Sequence, residues 1–269
     1  MTALLTHILP VLQQTEPLPR AFGALHLFFC CLVFLISYIL VRFFRRAPEG
    51  IYRGILFLFW IVILIFEFIR QIYYCFPYSE GKFHFVFSWR NIPLQLCAMI
   101  LYVLPIVIFS KKGKLHDTAS LFLSSFSFVA GLCVYCIPDT VFTQNVFINA
   151  QALIQHGVQI IVGVYILSRE YQRLRPATFL RTFLLFTCMT LSATLLNELF
   201  YPILTKQNIT PFNLFFLSRH QASDISFLEP FLLHMPYPLF LCAYLLVVTL
   251  GAYLLYSIFS WYLSHVDKP

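Results

Sequence analysis

Two side chains with the chemistry of a nucleophile and its base sit in apolar surroundings. They are Cys97, in Pro93-Leu-Gln-Leu-Cys97-Ala98, and His156, in Gln155-His156-Gly157. A thiol attacks as the thiolate, and an apolar helix disfavours that anion, so Cys97 needs a proton acceptor within hydrogen-bond reach. His156 is the histidine set deep in an apolar run at the matching level. Glu67, Asn197 and Glu198 are candidates for the third group that fixes the tautomer of its ring. Gln159 belongs to the same polar set.

The elements that must position these groups are membrane helices. The 269 residues are 60% hydrophobic and 11% charged, with 31 Phe, less than half the charge of an ordinary soluble domain. Seven apolar runs can be drawn, at about 21–44, 54–75, 92–110, 117–137, 147–168, 177–202 and 236–261, several of them reaching the ~20 residues that cross ~30 Å of hydrocarbon. Prolines mark their edges: Pro93, Pro176, Pro236 and Pro238 near starts, Pro138 and Pro202 near ends. Pro105 is interior and predicts a kink near Leu101. Residues 1–20 lack a charged stretch ahead of an apolar core, so the first run is expected to stay in the mature protein.

The net charge of +7 is unevenly distributed. Twelve of the eighteen Lys and Arg residues follow runs one, three, five and seven, five lie on the other face, and Arg70 is inside a run. The positive-inside rule then gives an all-α polytopic membrane protein of seven transmembrane helices, N-terminus outside and C-terminus inside. Residues 1–20 form an extracytoplasmic segment, 21–261 the membrane domain and 262–269 a cytoplasmic tail. No basic stripe with interleaved aromatics occurs in a soluble segment, which argues against nucleic-acid binding. The eight cysteines show neither a secreted framework nor zinc spacing, and Cys133-Val-Tyr-Cys136 reads as two small apolar residues on one helix.

Ionisable groups inside spanning helices are costly, and each is a functional candidate. Runs one, four and seven contribute essentially none. Run two carries Glu67, Arg70, Gln71 and Tyr74 on one face, and run three Gln95 and Cys97. Run five carries Asn149, Gln151, Gln155, His156 and Gln159, and run six Thr187, Thr190, Thr194, Asn197 and Glu198. At 1.5 Å per residue Cys97 lies roughly 8–10 Å from the outer surface and His156 roughly 13 Å. Four helices thus bring polar groups to one depth in the outer leaflet, where Arg70 is suited to holding a lipid phosphate or stabilising an oxyanion. Plainer roles stand beside these: a structural Glu67–Arg70 ion pair, interhelical hydrogen bonding by Gln and Thr, and an Asn197-Glu198 helix cap.

Pro93-Leu-Gln-Leu-Cys97, Gln155-His156-Gly157, Arg175-Pro176 and Asn197-Glu198, in this order and spacing, resemble the YwaF-like bacterial integral membrane family and its eukaryotic relative, transmembrane protein 164. The likeness spans roughly residues 50–260. It implies a lipid acyltransferase that carries the acyl group as a thioester on Cys97 with help from His156, in a bacterial inner or plasma membrane. Many bacterial members have His where this chain has Gln95. No H-x-x-x-x-D box, G-x-S-x-G, P-loop or H-E-x-x-H occurs, so no metal, nucleotide or other cofactor is expected, and the partners are membrane lipids. The leading expectation is acyl transfer or acyl hydrolysis in a cleft open to the outer leaflet. A transporter or lipid-binding protein using the same polar cluster, and a non-catalytic structural protein, are the alternatives.

The chain contains its own control. Pro238-Leu-Phe-Leu-Cys242-Ala243 repeats the Cys97 motif with Phe240 for Gln95, in a run without polar company. Cys97→Ser is predicted to abolish lipid acyl transfer measured on membranes, and Cys242→Ser to leave it intact.

Overall fold

The computed structural model describes residues 8–79, 82–222 and 229–266. Its main helices are α1 (Ala24–Phe44), α2 (Glu49–Cys75), α3 (Leu96–Phe109), α4 (Lys114–Cys136), α5 (Val146–Glu170), α6 (Pro176–Lys206) and α7 (Tyr237–Val266). Two short strands after α2, β1 (Tyr78–Ser79) and β2 (Lys82–Phe83), pair antiparallel with Tyr78 opposite Phe83. Among the described residues six helices, all but α3, have the length and composition to cross a membrane.

The run expected at 92–110 is helical only from Leu96. It has four residues of 3-10 helix and ten of α-helix, roughly 23 Å in all, short of the ~30 Å hydrocarbon thickness. Pro93 lacks an N–H and pushes Ile92 into an extended conformation (φ −58, ψ 141). Gln95 is extended as well (φ −74, ψ 158). Elsewhere the helices outrun the expected limits. α6 continues past Pro202 to Lys206, and α7 continues to Val266, into the residues expected as a tail. Lys268, counted with the inner-face basic residues, lies outside the described residues.

α4 and α5 form the centre. In their most apolar stretches 72% and 78% of residues are buried, against 17–22% in α1, α2, α6 and α7. The outer helices turn Phe34, Phe68, Leu246 and Trp261 outward, where lipid would lie. α5 packs on α1, α2 and α4, while α3 bridges α2 and α4. The α4–α5 approach depends on missing side chains. A Cβ on Gly131 would meet the His156 carbonyl at 2.7 Å, and one on Gly163 would meet Phe128 Cβ at 2.9 Å. Midway along α4 a π-turn at Leu123–Ser127 bends the ladder. There Ser124 donates to the Ser120 carbonyl and Ser125 to that of Leu121.

His26, in a run read as free of ionisable groups, is fully buried against Phe22, Tyr135 and Phe142. It is a core histidine: Nδ1 accepts the Phe22 N–H at 3.2 Å, and Nε2 lies 3.5 Å from Cys30 Sγ. The N-terminal segment docks beside α5, since Glu16 N–H donates to the Gln144 carbonyl (2.8 Å) and Val146 N–H to that of Gln14 (3.1 Å). At the basic ends of the helices Glu49 meets Arg53, Lys112 and Arg169 at 3.0, 2.8 and 3.3 Å.

Pro105 deprives the Leu101 carbonyl of its helical donor, and the Trp60 indole on α2 supplies one at 2.9 Å. Trp60→Phe keeps an aromatic ring but leaves that carbonyl unpaired. It is expected to lower stability by about 1–3 kcal/mol, read as an earlier thermal unfolding transition of the protein in detergent.

Candidate functional site

A cavity of about 530 Å³ lies among α2, α5 and the irregular start of α3. Glu67, Arg70 and Tyr74 line it from α2, Gln95 and Cys97 from the α3 side, and Gln151, Gln155 and His156 from α5. Arg90, Asn91, Thr140 and Thr143 contribute from loops, and Phe216 from the segment after α6. Of the residues singled out from the sequence, the fold brings Cys97, His156, Glu67 and Arg70 to one cavity.

Its walls are held by side chains bonded to backbone. Arg70 forms a two-point pair with Glu67 on adjacent turns, Nε to Oε2 and Nη2 to Oε1, both at 2.9 Å. Gln71 donates to the same carboxylate at 2.6 Å. Arg70 and Gln71 also donate to the Asn91 carbonyl, at 3.2 and 2.8 Å, just where the non-helical stretch begins. At its far end the Cys97 carbonyl accepts from Gln155 Nε2 and Gln159 Nε2, each at 3.1 Å. These bonds matter because an unpaired peptide group in hydrocarbon costs several kcal/mol.

The same network assigns the imidazole tautomer. Gln159 Nε2 donates to the Cys97 carbonyl and to Ser127 Oγ, so its Oε1 is the atom 2.8 Å from His156 Nδ1. An amide oxygen only accepts, so Nδ1 carries the proton and Nε2 the lone pair. Nε2 makes no hydrogen bond among the described residues, and the ring lines the cavity. With Nδ1 taken up by Gln159, the acceptor nitrogen of the ring is left without a protein partner among the described residues.

The group bonded to the His156 ring is therefore Gln159, one of the supporting residues expected from the sequence, and not Glu67, Asn197 or Glu198. Asn197 instead clasps Leu214, its Oδ1 accepting from the backbone N–H (2.8 Å) and its Nδ2 donating to the carbonyl (3.0 Å). Glu198 faces away from the cavity and pairs with Arg219 (2.8 Å) and His220 (3.0 Å). Gln95 is not helical, so the helical angle between it and Cys97 does not apply. It reaches the segment after α6, donating to the Asn213 carbonyl (2.8 Å) and accepting from Phe215 N–H (2.7 Å).

That segment folds inward: Phe212, Leu214, Phe215 and Leu217 are buried, and Phe215 and Phe216 have φ of 55° and 58°. Left-handed geometry costs such residues roughly 1–2 kcal/mol each, and the Gln95 and Asn197 bonds offset it.

A family model for the TMEM164 family matches residues 21–256. The chain belongs to the TMEM164 family. The match runs from before α1 into α7 and includes every residue that lines the cavity. No curated protein and no solved structure matches the chain. Among the residues lining this cavity of the TMEM164-family chain are one thiol, one imidazole and one carboxylate already engaged by Arg70. Two amides remain for a ligand: Gln151 has no hydrogen-bond partner among the described residues, and Gln155 Oε1 is buried and unbonded.

If His156 is the base for Cys97, the thiol's reactivity tracks the imidazole. The alkylation rate of Cys97 by a small haloacetamide, followed by peptide mass spectrometry, is expected to fall by roughly 10²-fold in His156→Ala. A smaller fall is expected in Gln159→Leu, where the ring survives but its tautomer is no longer fixed. Equal rates in all three proteins would refute the pairing.

Proposed function

We propose that the protein is a membrane-embedded lipid acyltransferase, or acyl hydrolase, working through a thioester on Cys97. The observation that carries this reading is that Cys97 and an imidazole with its Nε2 unbonded share one cavity among membrane helices. Membership of the TMEM164 family adds to it. In the first half-reaction His156 Nε2 takes the thiol proton and the thiolate attacks the ester carbonyl of a lipid. The ester C–O bond breaks as the thioester forms, and the departing alkoxide receives the proton from the imidazolium. In the second, a hydroxyl of another lipid, or water, gives its proton to His156 and attacks the thioester. The thiolate leaves and regains the proton from the ring.

Arg70 serves the lipid phosphate or the oxyanion, with Glu67 holding its guanidinium in place. We further propose seven crossings with the N-terminus outside. α3 and the non-helical residues before it would make the third, since irregular backbone is tolerated at membrane depth where it lines a cavity. Docking of residues 14–16 on 144–146 agrees with this, because alternation places both on one face. The location proposed is a bacterial inner or plasma membrane, on the likeness to the YwaF-like proteins.

The test is chemical capture. Purified protein incubated with vesicles of acyl-labelled phospholipid should acquire a hydroxylamine-labile label on the Cys97 peptide. Cys97→Ala should lose both label and acyl exchange, and His156→Ala should slow labelling. Full acyl exchange by Cys97→Ala would sink the mechanism. Tight lipid binding without any label would favour a lipid-binding protein using the Gln151 amide and the unbonded Gln155 Oε1.

A further inference from the structure

We propose that His116, Asp117 and Glu170 form a binding site for one divalent transition-metal cation of the Zn²⁺ type, clipping the start of α4 to the end of α5. His116 and Asp117 lie in the first turn of α4, and Glu170 is the last residue of α5. One ligand atom from each falls within 4.8 Å of the others. Along α5 the cluster is about four turns from His156, so it is separate from the cavity that holds Cys97.

One of its carboxylates is unsatisfied. Glu170 is 2% exposed, and neither of its carboxylate oxygens has a hydrogen-bond partner. His116 is fully buried beside it, and the buried Tyr52 hydroxyl lies toward Glu170 without reaching ordinary hydrogen-bond geometry. A carboxylate withdrawn from water without a donor is among the costliest groups a protein can bury, and it calls for a positive partner.

The spacing indicates which partner. Three oxygens surround His116 Nδ1: Ser120 Oγ at 3.4 Å, Asp117 Oδ1 at 3.5 Å and Glu170 Oε2 at 3.6 Å. These separations are long for hydrogen bonds. They approach the ~3.3 Å between the corners of a tetrahedron whose metal–ligand bonds are ~2.0–2.1 Å. Arg173 Nη2 donates to Asp117 Oδ1 at 2.9 Å, the kind of outer bond that orients a ligating carboxylate. One imidazole, two carboxylates and a nearby hydroxyl suit Zn²⁺ or a neighbouring first-row ion. Mg²⁺, which keeps its waters and demands an octahedron, suits so closed a site poorly.

The rival is a buried ion pair only, between protonated His116 and Glu170, and metal analysis separates the two. Tag-free protein purified in detergent without chelator is expected to retain about one Zn²⁺ per chain. Stripping with EDTA should lower its unfolding temperature, and Zn²⁺ alone, not Mg²⁺, should restore it. Glu170→Gln and His116→Asn should lose both the bound metal and the response. If neither variant folds, Asp117→Asn, at the half-buried ligand, decides, with at least ~10-fold weaker Zn²⁺ binding expected. Wild-type protein that neither retains Zn²⁺ nor is stabilised by it, or equal Zn²⁺ binding by the variants, overturns the proposal.

Discussion

The constraint behind the site is that peptide groups withdrawn from water inside a membrane must find partners within the protein. Residues 92–95 and Pro105 interrupt the helical ladder, and the polar side chains nearby are used to repair it. Arg70 and Gln71 take the Asn91 carbonyl, Gln155 and Gln159 take that of Cys97, and Trp60 takes that of Leu101. Asn197 and Gln95 do the same for the inward-folded segment after α6. Among the described residues lining the cavity, this repair leaves over the Cys97 thiol, the Nε2 of His156, the Gln151 amide and the oxygen of Gln155. The free groups stand out because nearly everything around them is committed.

This explains how far the sequence could be read. Hydropathy located the six long helices to within about five residues, since four turn apolar side chains outward and the two central ones bury theirs. It failed at 92–95, where the residues are as apolar as a helix but Pro93 and the cavity hold them extended. Helical period and rise put Cys97, His156, Glu67 and Arg70 at one depth, and they do share a cavity. Depth is not direction, however. Asn197 and Glu198 lie at a suitable level on α6 yet serve the loop that follows it, and nothing local marks that loop as one that folds inward.

Gln159 was legible as a polar residue one turn from His156, but its role was not. An amide becomes an orienting group only when its other end is fixed, here by the Cys97 carbonyl on a different helix. The His116, Asp117 and Glu170 grouping was hidden in a similar way. Glu170 is remote in sequence from the other two, and only the antiparallel packing of α4 and α5 joins them.

The close approach at Gly131 has a consequence for how such a protein can change over time. The surface that would clash with a larger residue there is the backbone carbonyl of His156 itself, 2.7 Å from where a Cβ would sit. A backbone atom cannot be trimmed by a compensating substitution, so accommodation requires α5 to shift, and the imidazole with it. A change at position 131 is thereby coupled to the placement of the ring at position 156. Position 131 therefore tolerates little beyond glycine, whereas the outward-facing side chains of α1, α6 and α7, such as Phe34 and Leu246, meet no such backbone limit.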